Sequence, residues 1–258
     1  MIFAGLLLLA VGGVDLVRTV FRRASATVLT VGLSVVMVTA VVIGLLAGAP
    51  AAGFAGAVVA GLWLWLMPDR GHSPASIWPA AGVGALAALA IVLVPADHGT
   101  GALGRVEIAA PLGPLSLPAL VLLLGALTYL LEAANVVVRA ALERENIAPA
   151  PDPSDEADDD GAEPAIEAAV LPKLGPGQVM RGGRLIGPLE RAIVFGLTLA
   201  SAYPLLAAFI AAKGIVRFPE ISRDGDGGDR AEYFLVGSMV SWVQALALAF
   251  LVWWGLRS

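Results

Sequence analysis

Apolar residues in this chain fall in long unbroken blocks separated by short polar stretches. A helix needs about 20 apolar residues to cross a hydrocarbon core of about 30 Å, so such blocks predict membrane spans. Seven are marked: Met1–Val17, Ala26–Leu46, Gly53–Met67, Ile77–Val94, Pro118–Val138, Ala192–Ala212 and Tyr233–Gly255. The third is short for a span. The stretch GAPAAG after Leu46 predicts a tight helical hairpin, because Gly and Pro punctuate helices. Residues 95–117 contain RVEIAAPLGPLSL, whose alternation predicts a small surface hairpin turning at Gly113-Pro114. The expected fold is an all-α integral membrane protein, a bundle of about seven transmembrane helices.

Composition agrees. Hydrophobic residues make up 58% of 258 positions, charged residues 14%, and mean hydropathy is +0.84. A soluble domain carries about 25% charged residues. Seven spans use up this length and leave no room for a sizeable soluble domain. The net charge of −5 is unevenly spread. Residues 143–183 hold ten acids and three bases, which leaves the remainder slightly basic. Their core, APAPDPSDEADDDGAEPA, is Pro-rich, acidic and free of aromatics, so it is expected to be a disordered linker. The division is then 1–142 as a five-span region, 143–183 as an acidic Pro-rich linker, and 184–258 as a two-span module. The first block lacks a basic leader, and Asp15, Arg18, Arg22 and Arg23 follow it, so it reads as a span and not as a cleaved signal.

Cytoplasmic loops carry an excess of Lys and Arg. With seven spans and the N-terminus outside, eleven of these residues fall inside and five outside. That predicts N-out, C-in, in a bacterial inner membrane, with the linker in the cytoplasm. Trp63, Trp65, Trp78, Trp253 and Trp254 then share the inner boundary as an aromatic belt. One miscounted span would divide that group between the two faces.

Little in the chain suggests catalysis. Cysteine is absent, and His72 and His98 fall in loops on opposite sides of the expected bundle. DGDGGD at Asp224–Asp229 fails the spacing of a calcium loop, with Gly228 at the fifth position and Leu235 at the twelfth. No metal, cofactor or nucleic acid is expected. Ionisable groups in or beside spans need more explanation, because they are expensive in hydrocarbon. Glu132, Asn135 and Arg139 lie on one stripe of the fifth span, and Asp15 and Arg18 share a face of the first. In RLIGPLER, Gly187 suits a helix cap and Pro188 the first helical position, which puts Glu190 and Arg191 at the inner boundary. From Glu190 to Lys213 a continuous helix rises about 35 Å, so these charges are expected to bracket one hydrocarbon thickness. Lys213, Arg217 and Glu220 would then meet Glu232 and Tyr233 at the outer boundary. The bland explanation is mutual pairing that locks the bundle. The functional one is a polar vestibule for a head group, ion or solute. The stripe Gly237, Ser241, Gln244 and Ala245 predicts close helix packing in the last span.

The segment GGRLIGPLERAIVFGLTLASAYPLLAAFIAAKGIVRFPEISRD, continued by AEYFLVGSMVSW, resembles a C-terminal signature of a family of bacterial multi-pass membrane proteins. It covers about residues 182–242. The matching positions are Arg184, Gly187, Glu190, Arg191, Lys213, Arg217, Phe218, Glu220, Glu232, Tyr233 and Gly237. The resemblance implies membership and brings no mechanism with it, since the family has no established activity.

The expected function is that of a non-enzymatic membrane component, accessory or partner-binding. Its surroundings are the bilayer, and residues 146–183 are available to a membrane or cytosolic protein. The alternative is a small transporter or channel whose path uses Glu132 with Glu190 and Arg191.

Overall fold

The computed structural model describes residues 1–68, 76–94, 107–110, 113–144, 183–221 and 229–257. The linker after Arg144, both histidines and residues 222–228 lie outside them. The helices are α1 (Ile2–Val20), α2 (Ala26–Leu46), α3 (Pro50–Leu66), α4 (Trp78–Leu93), α5 (Leu117–Thr128), α6 (Ala134–Arg144), α7 (Gly183–Leu199), α8 (Tyr203–Ile221) and α9 (Asp229–Gly255). A π-helical turn, Tyr129–Ala133, joins α5 to α6. Four continuous helices are long and apolar enough to cross a membrane: Ile2–Val20, Ala26–Leu46, Leu117–Arg144 and Phe234–Gly255. Pro50–Leu66, Trp78–Leu93 and Tyr203–Val216 are apolar but shorter.

The only strands among the described residues form an antiparallel pair, β1 (Glu107–Ala110) with β2 (Gly113–Ser116). Ala110 pairs with Gly113 and Ala109 with Pro114, so the chain reverses before Gly113, not at Gly113-Pro114. Both strands are edges, where a proline without an N–H is tolerated.

Helices α1 and α5 form the centre, and glycine lets their backbones touch. A β-carbon on Gly5 would stand 2.7 Å from the Leu122 nitrogen, and one on Gly12 would collide with the backbone of Thr128 and Tyr129. Both contacts advance together along the chain, so α1 and α5 run parallel. Helix α3 lies on α1 in the same direction, with Gly56 against the Leu6 carbonyl. Helix α2 packs antiparallel on α3 through Gly44 and Gly53. It is the least buried of the four long helices, as suits a helix facing lipid.

Two helical hairpins are built by one device. Helix α2 stops where Gly48 takes φ 76°, while Ala49 donates to the Gly44 carbonyl and Gly48 to that of Leu45. This is a Schellman cap, followed by Pro50 at the start of α3. Helix α7 ends the same way. Ser201 takes φ 56°, Ala202 donates to the Leu197 carbonyl and Ser201 to that of Thr198. Pro204 then stands in the first turn of α8.

The expected single span Ala192–Ala212 is therefore two helices joined by a reversal. Ten residues of helix rise about 15 Å, roughly one leaflet, so the same uncharged block fits a half-depth hairpin as well as a full crossing. The reversal changes the parity of the chain. Helix α9 begins beside α6, where Gly237 faces Val138 and Leu142. It ends with a Gly255 β-carbon position 2.8 Å from Leu122, 3.4 Å from Ile91 and 3.6 Å from Met1. Met1 and Gly255 lie at one end of the bundle, whereas the N-out, C-in expectation puts the two ends of the chain on opposite sides. The tryptophans divide accordingly. Trp253 and Trp254 stand at the Met1 end of the bundle, while Trp63, Trp65 and Trp78 stand at the Arg18 end.

Candidate functional site

The polar residues converge at the Arg18 end, where α1, α3, the π turn, α7 and α9 meet. Arg191 is its centre and is 2% exposed. Its Nε donates to the Leu130 carbonyl at 2.7 Å, and Nη2 to Asn135 Oδ1 at 2.5 Å. Longer contacts reach the Leu131 carbonyl at 3.5 Å and Ser241 Oγ at 3.4 Å. The π turn supplies the acceptors. In an α-helix the Ala134 N–H would take the Leu130 carbonyl; here it bonds to Tyr129, five residues back. Leu130 is left with an acceptor that water cannot reach, and Arg191 fills it. Such interruptions persist in an apolar bundle only where another group satisfies the freed backbone.

Glu132 sits on the same turn. Its Oε2 accepts from Thr19 Oγ1 at 3.1 Å and from Asn135 Nδ2 at 3.3 Å. Asn135 also donates to the Leu131 carbonyl at 3.2 Å, so it bridges Glu132, the π turn and Arg191. Among the described residues no Lys or Arg nitrogen lies within 4 Å of Glu132.

A second group surrounds Asp15, which is 2% exposed. Trp63 Nε1 donates to its Oδ2 at 2.7 Å, and Arg18 Nη1 to its Oδ1 at 3.1 Å. Arg18 also donates to the carbonyls of Met67 and Leu64, both at 2.8 Å, and Arg139 Nη2 to that of Pro68 at 2.9 Å. Two arginines from neighbouring helices thus cap the C-terminal end of α3, where carbonyls lack helical partners and the dipole favours cations. Trp63 is 1% exposed and serves this group, so it is not part of an interfacial belt. Arg139 shares the expected stripe with Glu132 but turns to α3 and to Glu143, 3.7 Å away.

The third group changes the sequence reading most. Lys213 Nζ lies 2.6 Å from Glu190 Oε2. The two residues therefore face each other at one depth and do not bracket a membrane thickness. Lys213 also lies 5.3 Å from the ring centres of Phe234 and Trp242. The expected meeting of Lys213 with Glu232 gives way to this pairing, and Glu232 is exposed. Arg184 lies on α7, Arg217 and Glu220 on α8 and Tyr233 on α9, with side chains outside the described set. Helix α7 begins at Gly183, so Pro188 is inside it and Gly187 is no cap. Gly187 instead lies over the Arg191–Asn135 bond, its β-carbon position 3.6 Å from Asn135 Oδ1 and 3.9 Å from Arg191 Nη2. In α9, Ser241 and Ala245 are buried and Gly237 meets α6, so that stripe is a packing face.

Asp15 and Arg18 could be paired from their spacing. The Trp63 bond, the carbonyl caps and the π turn carry no local signal, because each depends on a different helix arriving. No protein-family model matches the chain, and neither a curated protein nor a solved structure does.

Proposed function

We propose that the chain is a bacterial inner-membrane protein acting as a non-enzymatic accessory or partner-binding component, of the signature family that residues 182–242 resemble. One observation carries this reading. Apart from Glu132, the charged residues that a solute path would need are engaged with one another or with backbone carbonyls. Arg191 is committed to the π turn, Arg18 to Asp15 and α3, and Glu190 to Lys213. The acidic residues 146–183 are then the segment offered to a cytosolic or membrane partner. Deleting residues 150–180 should leave the membrane region folded and abolish in vivo crosslinking to that partner. Unchanged crosslinks would end the assignment of the linker.

The orientation that accompanies this reading puts both termini outside. Along the observed helix directions, all but Arg105 and Arg257 of the sixteen Lys and Arg belong to the Arg18 end or to the connections that join it. Such an asymmetry favours that end in the cytoplasm. The hairpin α7–α8 then enters the inner leaflet and returns.

Glu132 favours a second reading, a cation-coupled transporter, since two neutral donors hold its carboxylate and, among the described residues, no Lys or Arg stands in ion-pair range. In proteoliposomes a folded Glu132→Gln, Glu190→Gln double variant would then lose flux. Normal flux in that variant would exclude this path.

A further inference from the structure

Helix α8 is attached to the molecule differently from every other long helix. It packs on α7 and touches little else, while α7 lies along α9 and against the π turn. On α8, Leu206 and Phe209 contribute to the core, but Tyr203, Leu205, Ile215 and Val216 are between 61% and 73% exposed. Its two ends are fixed by particular groups. At the tip stands Ser201 with φ 56°, a left-handed conformation that a side chain disfavours and a short turn between rigid helices can release. At the base, Lys213 is held by Glu190 from α7 and by the faces of Phe234 and Trp242 from α9.

We infer that α8 is a hinged arm, with the Ser201 turn as hinge and the Glu190–Lys213 pair as latch, and that its opening exposes the Trp242 ring of α9, which Lys213 covers when closed, to the surrounding leaflet. The physical balance supports a latch more than a permanent weld. The apolar contact between arm and bundle is narrow, so burial contributes little to closure. Both latch side chains keep about one sixth of their surface, 16% for Lys213 and 17% for Glu190. Neither charge is sealed inside the packed bundle as Arg191 is, so separating them disturbs less packing than breaking a fully buried pair would. While closed, the carboxylate and two ring faces all favour a cation at that point. Among the described side chains of α8, Lys213 alone makes an ion pair to the rest of the bundle.

The chain has no cysteine, so two introduced ones report without interference. Spin labels at Leu189→Cys on α7 and Ile215→Cys on α8 occupy exposed positions near the latch. Pulsed electron resonance in phospholipid vesicles should give one short, narrow distance for the otherwise native chain. Lys213→Gln and Glu190→Gln should each raise the long-distance population several-fold, and Lys213→Arg should keep the short one. Distances unchanged in Lys213→Gln, or equal shifts in Lys213→Gln and Lys213→Arg, would overturn the inference. So would a Lys213→Gln chain that fails to elute as a folded, monodisperse species. The pair would then be holding the bundle and not the arm.

Discussion

Arg191 of α7 donates through Nε to the Leu130 carbonyl of the π turn at 2.7 Å, across a helix interface from which water is excluded. Each side explains the other. The turn exists at a tolerable free energy because a fixed donor meets its freed carbonyl. The guanidinium can be buried because the turn, Asn135 and Ser241 surround it with acceptors. An arginine fits where a lysine does not, since its planar fork reaches several acceptors at once.

Replacing Arg191 with Met should therefore lower the free energy of unfolding by about 3–5 kcal/mol, the range for stranding buried polar partners. Arg191→Lys should recover less than half of that, because one ammonium cannot span Leu130, Asn135 and Ser241. Thermal unfolding of the purified protein in one detergent gives the order directly. Equal stability of the Met variant and the native chain would remove Arg191 from the structural role assigned to it.

The contact of α1 with α5 makes a different demand. Gly12→Val places carbon where the Thr128 and Tyr129 backbone already stands. It should destabilise by about 1–3 kcal/mol or more through overpacking. Gly84→Ala is the control, since nothing lies within 4 Å of its β-carbon position. There the change should be neutral or stabilising by up to about 1 kcal/mol, because alanine favours helix over glycine. Melting curves of the two variants should move in opposite directions.

At the α7–α8 turn, Ser201→Gly should stabilise the chain by about 1 kcal/mol, relieving the left-handed penalty at φ 56°. Ser201→Val should do the reverse, as a β-branched side chain tolerates that region least. A denaturation midpoint that is the same for Gly, Ser and Val would show that the turn is not left-handed in the membrane.

The parity of the chain is testable with reporters. Alkaline phosphatase fused after Ser258 should be active, because that enzyme works only outside the cytoplasm, and green fluorescent protein at the same place should be dark. Fusions within residues 150–180 should behave oppositely. An inactive phosphatase at the C-terminus would restore a full crossing at Ala192–Ala212.

Much of the chain is decided locally. Blocks of apolar residues become helices whatever surrounds them, because in lipid the backbone must satisfy itself. Leu117–Arg144 and Phe234–Gly255 could be marked with no partner in view. The α2–α3 hairpin was legible because Gly48 and Pro50 announce a left-handed cap and a helix start. The strands were legible from alternation, though their turn was not placed correctly. The reversal at Ser201 uses the same cap without glycine, and its one local signal, Pro204, suits a kinked continuous helix as well as a new helix start. Twenty-one uncharged residues satisfy one crossing or two half-depth arms equally well. What selects between them is non-local: Lys213 finds Glu190 and two aromatic faces, and Arg191 finds a π turn sixty residues earlier. The sequence determined which residues had to be buried and which charges needed partners. Only the packed structure decided which partners they took, and with that choice, on which side of the bundle the chain ends.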